Sequence, residues 1–187
     1  MSRSVDYVVD VEASLEEASV LAERVVRELV QRGIVLPTPE YSELHGAGSD
    51  YATGPNASEA ATGTLLDRPL QDGQFPCGLE THIGHEVYPA GEFGLDTLEC
   101  PRCRHAHQAN DLPWQEAVDE WYEASGPALL GCPSCGQSSQ LTDWRFKPAW
   151  AFGNLAFCFN EWRLKPEFVD QLTSLLGHRT VWVQSRW

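Results

Sequence analysis

The first part of the chain has the hydrophobic period of a strand and then that of a helix. Alternating hydrophobic positions predict a half-buried strand: Val5, Tyr7, Val9 and Val11. Ser14 and Glu17 match a capping box at the start of a helix. The apolar stripe of that helix comprises Ala18, Leu21, Ala22, Val25, Leu29 and Val30. Gly33 is placed to cap its end, and residues 34–36 predict a second strand.

The last part of the chain repeats this order. One face of a long strand is predicted to carry Ala151, Gly153, Leu155, Phe157 and Phe159. Pro166 suits the first turn of a helix that ends at Gly177. The helix stripe comprises Phe168, Val169, Leu172, Leu175 and Leu176. Residues 180–184 predict a final strand. Two β-α-β halves predict an α+β fold of the ferredoxin-like split type, a four-stranded antiparallel sheet with two helices on one face.

The middle of the chain is predicted to be an insertion between these halves. Residues 46–63 are rich in small residues and predict a flexible loop. Short strands at 79–83, 86–88 and 96–99 predict a small antiparallel sheet. A helix is expected from Pro113, capped by Asn110 or Asp111, with Trp114, Ala117, Val118 and Trp121 on its apolar side. The alternative is a mixed main sheet that includes the strands before residue 100.

Four predicted domains follow from these boundaries. Residues 1–45 form the first β-α-β half, and residues 46–63 the flexible loop. Residues 64–147 combine the small sheet with a four-cysteine subdomain, and residues 148–187 form the second β-α-β half.

Two short cysteine pairs provide the strongest chemical motif. They read Cys100-Pro101-Arg102-Cys103 and Cys132-Pro133-Ser134-Cys135, each followed by one turn residue, Arg104 or Gly136. We call residues 100–104 and 132–136 the first and second knuckle. Two C-x2-C pairs supply the four thiolates of a tetrahedral zinc site. Four protein ligands leave no open position, so the spacing predicts a structural metal rather than a catalytic one.

The knuckles resemble those of zinc ribbons, which occur in nucleic-acid-binding and protein-binding proteins. They also resemble the paired knuckles of rubredoxins, which hold one redox iron. The resemblance implies structural Zn²⁺, with Fe as the alternative. Residues 152–187 are similar to uncharacterised bacterial proteins that carry a mistaken transporter-ATPase label. The chain has no G-x-x-x-x-G-K-[ST] loop to support such an activity.

Composition limits the location and the partners. Hydrophobic residues make up 42% of the 187 residues and charged residues 21%, which is typical of a soluble globular protein. Six cysteines without a signal peptide or a bilayer-spanning run predict a cytoplasmic protein. The net charge of −14 disfavours nucleic acid and favours a basic protein partner, although solubility alone also explains such a charge. The oligomeric state is not predicted.

Four histidines and a carboxylate form weaker candidates. His82, His85 and Glu86 lie close in sequence, but a strand places residues 82 and 85 on opposite faces, which favours surface positions over a metal or acid–base role. His107 follows the first knuckle, as does His105. Either could donate a hydrogen bond to a thiolate, although solvent-facing side chains are favoured.

The last long strand carries a candidate surface. Its face opposite Phe157 is predicted to carry Asn154, Cys158 and Asn160, with Trp150 and Trp162 alongside. An interaction groove and simple packing explain this face equally well. Cys77 has no base beside it in sequence, so a reactive thiol there is disfavoured.

The motifs favour a non-enzymatic, zinc-stabilised protein-interaction or adaptor module with an acidic, Trp-rich surface. One alternative is a small-molecule enzyme with a pocket between the sheet and the zinc subdomain, although no nucleophile–base pair is visible. Another is a rubredoxin-like iron redox carrier. A nucleic-acid-binding ribbon is opposed by the charge.

Overall fold

A computed structural model describes residues 4–37, 51–62, 77–91 and 94–187. Over these residues the fold is α+β, with three α-helices and three antiparallel sheets. The helices are α1 (Leu15–Gln31), α2 (Trp114–Tyr122) and α3 (Pro166–Leu176). The strands are β1 (Ser4–Asp10), β2 (Tyr51–Ala52), β3 (Gly78–Tyr88), β4 (Thr97–Glu99), β5 (Ala106–Gln108), β6 (Leu129–Gly131), β7 (Ser138–Gln140), β8 (Arg145–Lys147), β9 (Ala151–Asn160) and β10 (Thr180–Arg186). No helix among the described residues is long and apolar enough to cross a membrane.

The five-stranded main sheet has the order β10-β1-β9-β3-β2, and every neighbouring pair is antiparallel. Helices α1 and α3 pack together over the sheet face that carries Phe157. The main core between them includes Val8, Leu29, Leu155, Phe159, Phe168 and Leu172. Burial of these side chains at about 25 cal/mol per Å² is the main stabilising term of the fold.

The two predicted helices of the β-α-β halves are confirmed. At the start of α1, the amide of Glu17 donates to Ser14 Oγ (3.3 Å) and the amide of Ser14 donates to Glu17 Oε2 (3.2 Å). Helix α3 begins at Pro166 and ends before Gly177, whose left-handed backbone (φ 74°) terminates it.

The prediction of a half-buried β1 is wrong, because β1 is an interior strand with both faces covered. Asp6 and Asp10 are fully buried. Asp6 accepts hydrogen bonds from the amide of Leu164 (3.0 Å) and from Arg186 Nη1 (3.3 Å), and Asp10 lies 2.9 Å from His178 Nδ1. Burial raises the pKa of Asp6, against the opposing effect of the Leu164 amide and Arg186. Both carboxylates are therefore compensated buried polar groups.

Strand β3 corrects the predicted small sheet. Residues 79–88 form one strand of the main sheet beside β9, with a bulge between Ile83 and Glu86. Only β4 of the predicted small sheet pairs elsewhere, with β5 and β8. In the predicted second strand, Val35 makes a single bridge to Thr53. The main sheet thus includes β3 but not β4, so the alternative, in which the strands before residue 100 join the main sheet, is right for β3 only. The pairings of the main sheet are antiparallel throughout.

Residues 51–62 of the predicted flexible loop pack against the main sheet and its core. This segment contains β2 and buries Ala57, Ala60 and Ala61 in the main core. Ala60 also accepts a backbone hydrogen bond from Lys165 (2.9 Å). The remaining loop positions, 46–50 and 63, lie outside the described residues. The predicted domain boundaries stay predictions.

The segment from β4 to β8, residues 97–147, contains the two smaller sheets and α2, and we call it the four-cysteine unit. Its own core includes Leu98, Leu112, Leu130, Leu141, Trp144 and Phe146, with Phe152 of β9 at the join with the main sheet. The helix expected from Pro113 is confirmed, but Asn110 and Asp111 lie in a preceding 3-10 turn and do not cap it.

Candidate metal centre

The two knuckles have the same backbone hydrogen bonds. In the first, the amide of Cys100 donates to the carbonyl of His105 (2.9 Å), and the amide of Arg104 donates back to the carbonyl of Cys100 (3.0 Å). In the second, Cys132 donates to Gln137 (2.9 Å) and Gly136 donates to Cys132 (2.8 Å). Each knuckle therefore closes a tight turn that directs both thiols to one side.

The four thiols meet between the knuckles. The Sγ atoms of Cys100, Cys103, Cys132 and Cys135 all lie within 4.8 Å of one another. Across the knuckles, Cys100 Sγ is 4.0 Å from Cys135 Sγ, and Cys103 Sγ is 3.7 Å from Cys132 Sγ. A tetrahedral ion with Zn–S bonds of about 2.3 Å sets its sulfurs about 3.8 Å apart. The cluster could therefore hold a metal ion with little rearrangement.

The turn residues after the two pairs match, as the sequence predicted. Arg104 and Gly136 both have a left-handed backbone, with φ of 62° and 69°. Only glycine adopts this conformation at no steric cost. The first knuckle therefore carries a side chain in a strained position.

His107 is a neighbour of the cluster that the sequence placed in solvent. Its side chain is buried, at 8% exposure, and its Nε2 lies 3.3 Å from Cys132 Sγ. The amide of Arg102 donates to Cys100 Sγ (3.4 Å). His105, by contrast, is exposed. The expectation of a solvent-facing side chain is therefore wrong for His107. It is the central residue of β5, between the exposed Ala106 and Gln108, and successive strand residues point to opposite faces.

Cys132 and Cys103 differ in pKa because their surroundings differ. Burial opposes ionisation of Cys132, but hydrogen bonds from the Cys135 amide, His107 and the Ser134 amide outweigh it and lower its pKa to about 6. A hydrogen bond from the backbone of His105 lowers the pKa of Cys103, but burial and the three neighbouring thiols outweigh it and raise that pKa to about 11. Cys132 is therefore the more acidic of these two thiols, and metal binding requires the thiolate form.

His82, His85 and Glu86 do not come together. His82 Nε2 lies 3.3 Å from Glu80 Oε2. His85 stacks on the ring of Trp121 at 3.6 Å, and its Nε2 lies 2.7 Å from the Trp121 carbonyl oxygen. Within the described ranges, the four cysteines are the group of side chains that could hold a metal. His85 thus bridges β3 to the end of α2, a role with no local sequence signal.

The suggested groove on β9 is not built from the expected residues. Trp162 is fully buried in the main core against Phe159, and Trp150 packs on Trp114 at 5.4 Å. Asn160 donates to Glu80 Oε1 (2.7 Å), and Asn154 to the Ala13 carbonyl (2.9 Å). Of the seven tryptophans, Trp187 alone is an exposed side chain. The tryptophans therefore stabilise the cores and do not form a Trp-rich surface.

Comparison of the chain with protein-family models, with curated proteins and with solved structures finds no match. The cysteine cluster and the surfaces around it are therefore the features that indicate a function.

Proposed function

We propose that this protein is a non-enzymatic protein-interaction or adaptor module whose four-cysteine unit is stabilised by structural Zn²⁺. Four thiolates suit zinc, and a complete set of protein ligands leaves no position for water or substrate. The knuckles also cross-link the otherwise short strands of the unit, β4 to β8, where metal binding supplies folding energy. Knuckle cysteines of this kind fit a reducing, cytoplasmic location.

The ferredoxin-like arrangement is part of this proposal. Strands β1, β3, β9 and β10 lie in the order β10-β1-β9-β3, with α1 following β1 and α3 following β9. This order and the shared face of the two helices support two split β-α-β halves. The four-cysteine unit is then an insertion between β3 and β9.

The observation that carries the interaction proposal is the charge of the surface around α2. Residues 105–144 contain six acidic residues and no lysine or arginine. Four exposed acids lie on or beside α2: Asp111, Glu116, Asp119 and Glu123. Next to them, Tyr122 and Leu129 are 54% and 47% exposed. We call these six residues the acidic α2 face. These acids make no ion pair with a described residue, and acids of this kind around exposed apolar side chains suit a basic protein partner with an apolar anchor.

Charge reversal tests this proposal. A variant with Glu116→Lys, Asp119→Lys and Glu123→Lys leaves Glu120 intact, since Glu120 accepts a hydrogen bond from the amide of Ala128. The matched control reverses exposed acids on α1, with Glu16→Lys and Glu23→Lys. Affinity capture from a cell extract, with protein identification, should recover basic proteins with the wild type and the α1 control but not with the α2 variant. Recovery of the same proteins by all three would refute the proposed surface.

Two alternatives remain distinct from this proposal. A rubredoxin-like iron carrier is coloured when purified, whereas the zinc protein is colourless. A small-molecule site is favoured by one observation, a cleft between the main sheet and the four-cysteine unit. The charge and shape of this cleft support a binding role of their own.

A further inference from the structure

A cleft of about 530 Å³ lies between the main sheet and the four-cysteine unit. Val11 and Val181, next to the ends of β1 and β10, line the cleft together with Phe146 and Trp150. This volume is in the range of small-molecule binding sites, about 300–1,000 Å³.

The charge of the cleft is opposite to that of the protein. Four lysines and arginines of the described residues line it: Arg104, Arg145, Lys147 and Arg179. Of the acidic residues that the structure describes, Glu99 and Asp143 alone do so. A chain with a net charge of −14 thus concentrates cations at one concave place. Low-dielectric walls strengthen the potential of such a cleft.

The cations of the cleft are incompletely neutralised. Arg104 and Arg145 share one carboxylate oxygen, Glu99 Oε1, at 3.3 and 3.9 Å. Both arginine side chains remain about two-thirds exposed, at 64% and 65%. Lys147 is exposed and makes no ion pair with any residue that the structure describes. The cleft therefore offers positive charge to a ligand without breaking strong internal pairs.

We call the half-buried apolar part of the lining the floor of the cleft, and the exposed lysine and arginines its rim. Val11, Ala149, Trp150 and Val181 form the floor and are only half-buried. A ligand that covers them would remove apolar surface from water, which inorganic anions cannot do. The combination of an apolar floor and a cationic rim therefore selects an anion with an organic body.

Arg104 connects the cleft with the knuckle. Its left-handed backbone (φ 62°) is the conformation that Gly136 has in the second knuckle. The turn of the first knuckle places that guanidinium on the cleft, so its position depends on the geometry of the metal centre.

We infer that this cleft, which we call the cationic cleft, binds a small phosphorylated molecule of about nucleotide size. Two or more guanidinium and ammonium groups fit the double charge of a phosphate monoester. The apolar floor would contact the base or another organic part of the ligand. This inference uses none of the residues of the acidic α2 face, so it stands or fails separately from the proposed function.

Calorimetric titration with three probes tests the inference: AMP, adenosine and inorganic phosphate, at low ionic strength, where electrostatic contacts are strongest. AMP should bind at least about tenfold more tightly than either of the other two, since it alone engages rim and floor together. Equal binding of inorganic phosphate would mean an adventitious anion only. Absence of AMP binding up to millimolar concentration would also overturn the inference.

Variants assign the binding to this cleft. Lys147→Ala and Arg104→Gly should each weaken AMP binding about fivefold to tenfold, since each removes one charge-assisted contact. The control is Arg27→Ala, an exposed position on α1, which should bind AMP as the wild type does. Metal content confirms that the Arg104→Gly knuckle is intact. Unchanged affinity of the Lys147→Ala and Arg104→Gly variants, or an equal loss in the Arg27→Ala control, would refute the site. The α2 charge-reversal variant should still bind AMP.

Discussion

Arg104 and Gly136 occupy equivalent positions in the two knuckles, and the same hydrogen bond holds both of them. Each donates its amide to the carbonyl of the first cysteine of its pair, at 3.0 Å for Arg104 and 2.8 Å for Gly136. Both have a left-handed backbone. A Cβ atom added at Gly136 would meet nothing within 4 Å, so backbone conformation alone sets the cost of a side chain there.

The first prediction is that Gly136→Ala destabilises the metal-loaded protein by about 1 kcal/mol, because alanine is strained in the left-handed region. Arg104→Gly, the reverse exchange in the other knuckle, should stabilise it by up to about 1 kcal/mol, less the added chain entropy of glycine. Denaturant unfolding measures both changes. Equal stability of Gly136→Ala and the wild type would contradict the strain argument.

The second prediction concerns the metal. Protein purified without added metal should contain about one zinc per chain and have no visible absorption, and chelation should unfold the four-cysteine unit. Cys132→Ser should lose the metal and the unit together. Cys77→Ser is the control, because Cys77 lies outside the cluster, and it should keep its zinc. Iron with visible thiolate absorption would instead select the redox carrier.

The third prediction is that the stability of the metal-free protein depends on pH, and that His107 contributes to this dependence. In metal-free protein the pKa of Cys132 is about 6, lowered by the Cys135 amide and by His107 against the opposing effect of burial. Because this folded-state pKa lies below that of an unfolded thiol, the thiolate stabilises the fold at alkaline pH. That contribution is lost as the pH falls through about 6.

His107→Phe removes the ring nitrogen near Cys132 Sγ, so the pKa of Cys132 should rise and zinc affinity should fall about tenfold. Thiolate ultraviolet absorption against pH, together with zinc competition, measures both effects. The matched control is His105→Phe, at the neighbouring exposed histidine, which should leave both unchanged. An equal effect of the two variants would argue against the hydrogen bond.

The fourth prediction compares two histidines of β3. His85→Ala should destabilise the protein by about 1 kcal/mol, because it removes the ring stacked on Trp121 and one hydrogen bond to the Trp121 carbonyl, which still accepts from the amide of Ala124. His82→Ala should cost under about 0.5 kcal/mol, since that side chain is 41% exposed. Hydrogen exchange should show α2 loosened in the first variant only. Unchanged protection of α2 would mean that His85 does not hold it.

Local patterns predicted the features that depend on neighbouring residues. The capping box of α1, the Pro166 start and Gly177 end of α3, and the knuckle turns all depend on contacts within a few residues. Such signals can be read from the sequence because the chain near each residue decides its conformation.

Features made by distant segments were missed for a physical reason. The alternation of β3 is the same whether it pairs with β4 or with β9, so its sheet could not be read from the pattern. The cationic cleft joins Arg104, Lys147 and Arg179 from separate parts of the chain. The buried Asp6 is paired with Arg186, the last residue of β10, which is distant in sequence.

The position of β1 has a consequence for synthesis of the protein. Val5 pairs with Asn160 on one side and with Ser185 on the other, so β1 leaves the ribosome long before either partner exists. The four thiols, by contrast, come from one continuous segment that is complete at Cys135. Metal loading can thus precede closure of the main sheet during translation. Until β9 and β10 emerge, both backbone edges of β1 stay unpaired, so the nascent chain has most need of chaperones in that interval.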